Sequence, residues 1–171
     1  MKKDSLLAII AGAGVGSRFE SEIPKQYLIL NGKSVIERAV EPFLCSDYVK
    51  KIIIVISKDD LLVNKQSFYD SSKVEFIHGG EKRANSIMNA IESVDLDEYE
   101  YVLTHDAARP NINEKDIEIL YSDILNKNSC CAYFYSPVYD SIKKVGTETD
   151  KTKDKNEYVL VQTPQISKLN E

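Results

Sequence analysis

Apolar runs of strand length alternate with segments of helical periodicity along most of this chain. Residues 6–10 and 52–56 are continuous runs of large apolar side chains, as expected for strands buried on both faces. Residues 35–44 lie between these runs and repeat their apolar side chains at helical spacing. Strand, helix and strand of this length favour parallel pairing through right-handed crossovers. The pattern therefore predicts an α/β fold.

The same alternation continues towards the C-terminus. We predict strands at 74–77 and 101–103. The helix between these strands would bury one face, formed by Ala84, Ile87, Met88 and Ile91. A second helix would follow the later strand and bury Ile117, Leu120, Tyr121 and Ile124. We expect a single domain over residues 1–171, with a Rossmann-like, mostly parallel sheet and helices on both faces. Ligands bind such sheets beyond the carboxyl ends of their strands.

Composition narrows the class of protein. A chain of 171 residues that is 43% hydrophobic can bury one core, and its net charge of -5 offers no general attraction to nucleic acid or anionic membranes. Three cysteines without CxxC spacing indicate neither a disulfide framework nor a zinc site. The first apolar run is too short for a signal or membrane segment. We expect a cytoplasmic protein that binds neither nucleic acid nor membrane.

Glycines alternate directly after the first predicted strand, at Gly12, Gly14 and Gly16, and Arg18 and Lys25 follow. Glycine lets backbone N–H groups approach a phosphate chain closely. Neither the dinucleotide-binding G-x-G-x-x-G nor the P-loop Gly-Lys-Ser/Thr is present. A tight turn would explain any one of these glycines, but together with two cations they predict a phosphate site.

A second glycine loop, residues 79–83, follows the third predicted strand and opens a helix. Its backbone donors, with Ser86, could hydrogen-bond a small polar ligand at the helix N-terminus. A simple structural turn explains the two glycines equally well.

Asp106 ends the fourth predicted strand, where a carboxylate is well placed to hold Mg²⁺ against substrate phosphates. A helix cap or a salt bridge to Arg109 is the alternative role. We interpret His105 and His78 as structural hydrogen-bonding residues, and no serine or cysteine is set for a nucleophilic triad.

Residues 139–158 are crowded with charged side chains and hold few apolar ones. Such a segment cannot supply core. It is either a solvated or disordered loop, or an arm that leaves the domain and pairs with another subunit.

These motifs together resemble the 2-C-methyl-D-erythritol 4-phosphate cytidylyltransferases of isoprenoid biosynthesis. The ribitol 5-phosphate cytidylyltransferases share the layout, but the match at residues 106–110 is closer to the erythritol enzymes. The motifs are Gly14-Val15-Gly16-Ser17-Arg18 with Pro24-Lys25-Gln26-Tyr27, Gly79-Gly80-x-x-Arg83-x-x-Ser86, His105-Asp106-Ala107-Ala108-Arg109-Pro110, Pro137-x-x-Asp140-Ser141-Ile142-Lys143 and Thr163-Pro164-Gln165.

The resemblance implies a nucleotidyltransferase in which a sugar-alcohol phosphate attacks the α-phosphorus of CTP, giving a CDP-alcohol and pyrophosphate. Arg18 and Lys25 would be catalytic, and Asp106 would help to hold Mg²⁺. The nucleotide would be bound by Ala11, Gly12, Ala13, Gly14, Gly16, Gly80, Glu81, Arg83, Ser86 and Ala107. The sugar phosphate would be bound by Asp106, Arg109, Ser141 and Lys155.

The resemblance also implies a homodimer, in which residues 139–158 form a projecting β-arm that carries Ser141 and Lys155 to the neighbour's site. Two positions depart from the family. Glu81 stands where the family often has aspartate, and Lys155 stands where it often has arginine. Lysine keeps the positive charge but lacks the bidentate hydrogen-bonding fork of arginine. Family domains continue for several dozen residues past Thr-Pro-Gln, so we expect a C-terminally truncated chain whose activity on its own is in doubt. Two alternative functions remain: an enzyme of the same fold that uses another sugar phosphate, such as ribitol 5-phosphate, or a different nucleotide, and a nucleotide-binding domain without catalytic activity.

Overall fold

A computed structural model describes residues 5–14, 23–144, 146 and 152–169 of the protein. Six of its strands form one sheet, and two pairs of two-residue strands form small separate ladders. In chain order the elements are β1 (Leu6–Ala11), β2 (Ile29–Leu30), β3 (Lys33–Ser34), α1 (Val35–Cys45), β4 (Val49–Ile56), β5 (Val74–His78), α2 (Arg83–Glu92), β6 (Tyr101–Asp106), α3 (Glu114–Lys127), β7 (Cys131–Pro137), β8 (Ile142–Lys143), β9 (Thr152–Lys153) and β10 (Val159–Lys168).

The main sheet has the strand order β5-β4-β1-β6-β10-β7. β1 pairs in parallel with β4 and β6, and β4 pairs in parallel with β5. β10 alone runs in the opposite direction, antiparallel to both β6 and β7. The predicted Rossmann-like, mostly parallel α/β sheet is confirmed, with the central strand β1 buried as its apolar run requires.

Helices cover both faces of the sheet, as predicted. Alternate residues of β1 enter different cores: Leu6, Ala8 and Ile10 pack with side chains of α1 and α3, whereas Leu7 and Ile9 pack with α2. The predicted face of α2 is partly wrong. Ala84 and Met88 are exposed, whereas Ser86 and Ala90 are buried and Ile87 and Ile91 are half-buried, because the helix turns its Ser86 side towards the loop after β5.

Sequence-local signals set the helix ends. α1 begins with a capping box in which the Ser34 hydroxyl accepts from the Glu37 amide, and α3 begins with the same arrangement at Asn113 and Asp116. α3 ends at Asn128, which takes a left-handed conformation with φ of 45°. Among the described residues, no helix is both long and apolar enough to cross a membrane.

Two strands of the main sheet, β7 and β10, were absent from the sequence prediction. β10 contains Pro164, which lacks the N–H that a ladder needs, and its pairing with β7 shifts register between Val161 and Gln165. A proline inside a run of mixed polarity argues against a strand, so local pattern alone misses it. β10 forms because β6 and β7 supply backbone hydrogen-bond partners along its two edges.

The charged segment 139–158 is described in part. β8 and β9 pair with each other in an antiparallel ladder that does not join the main sheet. The Lys155 ammonium donates to the Tyr139 carbonyl over 2.8 Å, which ties the two sides of the segment together. Residues 145 and 147–151 lie outside the described residues.

Candidate active site

A cleft of about 660 Å³ opens where β1 and β6 reach their carboxyl ends. Three loops supply most of its lining, and the turn at Lys25 and the first turns of α2 supply the rest. The lining residues are Ala11, Gly12, Ala13, Gly14, Lys25, Gln26, Gly80, Glu81, Lys82, Arg83, Ser86, Asp106, Ala107, Ala108 and Arg109.

Backbone pairing brings the loops after β1 and β6 together. Ala11 and Asp106 are register partners at the last pair of the β1–β6 ladder. The next amide, that of Ala107, continues the ladder by donating to the Ala11 carbonyl over 3.0 Å. The glycine loop and the aspartate motif are therefore neighbours because their strands are neighbours.

Close packing brings the loop after β5 against the loop after β1. The Gly79 amide donates to the Ile56 carbonyl over 2.9 Å, which extends the β4–β5 pairing by one residue. A Cβ at Gly79 would collide with the side chain of Ala13 and lie 2.8 Å from the Ser86 hydroxyl oxygen. Only glycine allows this approach.

Asp106 lies between two arginines. Arg83 Nε donates to one carboxylate oxygen over 2.9 Å, and Arg109 Nε donates to the other over 3.0 Å. Arg109 also donates from Nη1 to Gln162 Oε1 over 2.6 Å. The salt bridge to Arg109 that the sequence offered as an alternative is present, and the carboxylate holds both arginines at the cleft.

His105 supports the loop that carries Asp106 and Arg109. Its side chain is fully buried beside Phe43, and its Nε2–H donates to the Arg109 carbonyl over 2.9 Å. Burial lowers the pKa of His105 below its usual value, so the ring is neutral at neutral pH. The structural role predicted for His105 agrees with this geometry.

The cleft concentrates positive charge on a chain that is negative overall. Its lining includes four cationic side chains, Lys25, Lys82, Arg83 and Arg109, against the two carboxylates of Glu81 and Asp106. A local cationic surface favours a polyanionic ligand.

The structure brings most of the sequence-predicted site residues into this one cleft. Arg18 and Gly16 lie outside the described residues, and Ser141 and Lys155 do not line the cleft of their own chain. The residues brought together are Ala11, Gly12, Ala13, Gly14, Lys25, Gly80, Glu81, Arg83, Ser86, Asp106, Ala107 and Arg109.

Three lining residues were not predicted as site residues: Gln26, Lys82 and Ala108. Each of the three lies next to a predicted site residue or at a helix start, and that position in the sequence could have indicated it. Gln26 follows Lys25 directly, Lys82 is the N-cap residue of α2, and Ala108 lies between Asp106 and Arg109.

A second cleft of about 570 Å³ shares Arg109 with the first. It lies between the loop after β6 and the middle of β10. Its lining residues are Arg109, Pro110, Asn111, Asn113, Asp116, Phe134, Gln162, Thr163 and Pro164. The sequence could not place this cleft, because β10 was not predicted as a strand.

Known proteins share both the sequence pattern and the fold. The sequence model of the 2-C-methyl-D-erythritol 4-phosphate cytidylyltransferase family matches residues 6–171. A cytidylyltransferase of that name from Haemophilus ducreyi is 37% identical over 162 residues, which cover 94% of this chain and 70% of that relative. One from Haemophilus influenzae is 36% identical, over 95% of this chain and 70% of its own length.

A solved structure supports the same assignment. The Francisella tularensis enzyme of that name superposes with a TM-score of 0.77 at 31% identity, covering 96% of this chain and 73% of its own. The bifunctional IspDF of Campylobacter jejuni superposes with a TM-score of 0.76 at 26% identity, covering 96% of this chain and 41% of its own. The resemblance seen in the sequence motifs is thereby confirmed. This chain belongs to the 2-C-methyl-D-erythritol 4-phosphate cytidylyltransferase family.

Proposed function

We propose that the protein joins CTP and 2-C-methyl-D-erythritol 4-phosphate in the non-mevalonate route to isoprenoids. A phosphate oxygen of the sugar alcohol attacks the α-phosphorus of CTP. The bond to the bridging oxygen of the β-phosphate breaks, so pyrophosphate leaves and a CDP-alcohol remains. One observation carries the proposal: in a member of this family, the cationic cleft at the carboxyl edge of the sheet collects the motif residues from loops far apart in sequence.

The nucleotide fits the part of the cleft between the glycine loop and α2. Residues 11–14 line this space, and α2 directs its N-terminus towards it. The Gly80 amide donates to the Ser86 hydroxyl oxygen over 3.1 Å. This contact uses the hydroxyl oxygen as an acceptor, so the hydroxyl proton can be donated to a polar group of the nucleotide.

Charge stabilisation at the α-phosphate is the main catalytic task, because the reacting groups are both phosphates and need no protein nucleophile. Lys25 is an exposed cation that lines the cleft together with the glycine loop. We assign to it, together with Arg18, the neutralisation of charge that develops in the transition state. Arg109 lines both clefts, so the phosphate of the sugar alcohol would lie on its side, towards the second cleft.

Mg²⁺ is part of this proposal, with Asp106 as its protein ligand. Mg²⁺ keeps much of its water and needs only one or two carboxylates besides substrate phosphates. Asp106 offers one half-buried carboxylate, and each oxygen retains acceptor capacity beyond its arginine contact. Among the described residues no group of three or more metal-ligating side chains exists, which fits a cation held mainly by substrate. When bound, the ion would neutralise charge on the triphosphate.

Asp106→Asn in the full-length protein should raise the Mg²⁺ concentration needed for half-maximal activity by about tenfold or more, because a neutral amide replaces the carboxylate. The measurement is pyrophosphate release across a Mg²⁺ titration. Asp123→Asn is the matched control, since that carboxylate pairs with Lys127 on the surface of α3 and does not line the cleft. Full wild-type activity in excess chelator would contradict the metal requirement, and an unchanged titration of the mutant would contradict the role of Asp106.

We further propose a twofold dimer in which residues 139–158 reach the neighbouring subunit. Apolar side chains on β7 and on the first half of β10 are exposed beside this segment, including Tyr135 at 62% and Leu160 at 54%. Contiguous exposed apolar residues favour a protein interface, and a second copy satisfies twofold symmetry. Ser141 and Lys155 are both exposed and lie off the cleft of their own chain, so an exchanged arm would allow them to serve the partner's site.

The reaction itself is tested by product analysis with the full-length protein. We expect pyrophosphate release only when CTP and 2-C-methyl-D-erythritol 4-phosphate are both present, with the CDP-alcohol as co-product. Ribitol 5-phosphate and the other nucleoside triphosphates serve as competing substrates. Faster turnover with ribitol 5-phosphate, or release with none of these pairs, would overturn the proposed substrate assignment.

A further inference from the structure

The turn that carries Lys25 is anchored by its two neighbours in sequence. Gln26 and Tyr27 are buried, at 5% and 7% exposure, whereas Lys25 itself is exposed. Gln26 Nε2 donates to the Gly12 carbonyl in the glycine loop over 3.0 Å. The Tyr27 hydroxyl donates to a carboxylate oxygen of Asp60 over 2.6 Å. The single-turn helix of Lys25–Tyr27 is thus fixed to two separate loops.

Asp60 is itself held in one orientation. Its other carboxylate oxygen accepts from the amides of Leu62 and Val63 over 2.9 and 3.1 Å, and Val63 is buried in the core. Burial and then the contact with Asp60 raise the pKa of Tyr27 above its usual value, so the phenol remains a hydrogen-bond donor. Asp60 is not among the residues that line either cleft.

We propose that Asp60 is a positioning residue for Lys25 and acts through the hydroxyl of Tyr27. The lysine side chain is a flexible four-carbon stem, so its backbone anchor decides where the ammonium group can reach. Asp60 fixes that anchor relative to β4, and Gln26 fixes it relative to β1. The role assigned here to Lys25 rests on the proposed function.

Tyr27→Phe, which removes only the hydroxyl, should lower kcat by about 10- to 100-fold and change the KM for CTP by less than about twofold. A misplaced cation weakens a transition-state contact more than substrate binding. Asp60→Ala should lower kcat to a similar extent. Asp60→Asn should retain more activity, since the oxygen of its side-chain amide can still accept a hydrogen bond from the Tyr27 hydroxyl. Tyr99→Phe is the control: Tyr99 is also buried but lies before β6, at the opposite end of the sheet.

The coupling to Lys25 separates positioning from general destabilisation. In a Lys25→Ala background, single-turnover measurements should show no further loss from Tyr27→Phe, because the hydroxyl acts only through Lys25. An additional loss of the same size in that background would overturn the proposal, as would an unchanged kcat in Tyr27→Phe alone.

A measurement that needs no turnover distinguishes this proposal from the proposed function. The amides of Tyr27 and Leu28 donate to the carbonyls of Pro24 and Lys25, and both should exchange with deuterium faster in Tyr27→Phe and Asp60→Ala than in Tyr99→Phe. Unchanged exchange would overturn the positioning role. An inactive wild-type protein would overturn the proposed function instead, while accelerated exchange would still support the anchoring of the turn.

Discussion

Lys25→Ala in the full-length protein should lower kcat by about 100- to 1,000-fold or more, with a much smaller change in the KM for CTP. The expected asymmetry follows from the place of Lys25 in the cleft. Lys25 lines the cleft together with the glycine loop, whereas Arg83 and Arg109 are paired with Asp106. A charge aimed at the α-phosphate matters most when negative charge develops there.

Steady-state rates of pyrophosphate release, measured across a range of CTP concentrations, give kcat and the KM for CTP. Lys33→Ala is a suitable control, because Lys33 is also an exposed lysine but pairs with Glu41 on the surface and lies outside the cleft. Circular dichroism should show an unchanged fold for both variants, since neither side chain belongs to the core. A Lys25→Ala enzyme with full kcat and only a raised KM would make Lys25 a binding residue without a catalytic role.

Mixing two inactive full-length variants, Lys25→Ala and Lys155→Ala, should restore activity if the arm completes the neighbour's site. In a heterodimer both lesions fall in one composite site, and the other site is intact. Random exchange of equal amounts would give about a quarter of wild-type activity, since half of the dimers are heterodimers with one working site each.

Subunit exchange must be confirmed independently, for example with differently tagged chains. Each variant mixed with itself is the control, and neither should recover activity. No recovery despite confirmed exchange would mean that each chain completes its own site. The 2.8 Å contact between Lys155 and the Tyr139 carbonyl would then be only a structural tie within a surface loop.

Local pattern in the sequence was sufficient for the central α/β sheet. β1 and β4 contain continuous apolar runs, as expected for parallel strands buried on both faces, and β5 and β6 carry shorter apolar stretches. Their order in the chain, together with the rule that ligands bind beyond carboxyl strand ends, placed the glycine loop and Asp106 at one edge. The motifs then indicated the family, which the comparisons confirm.

Tertiary structure alone decided the contacts between residues that are far apart in sequence. The pairing of Arg83 with Asp106, the contact of Gln162 with Arg109, and the anchoring of Tyr27 by Asp60 each join segments that are far apart in sequence. β7 and β10 likewise exist because they complete a sheet, although the proline and mixed polarity of β10 argue locally against a strand. Periodicity reports which face of an element is buried, but the partner across a loop is fixed only when the strands pair and the loops pack together.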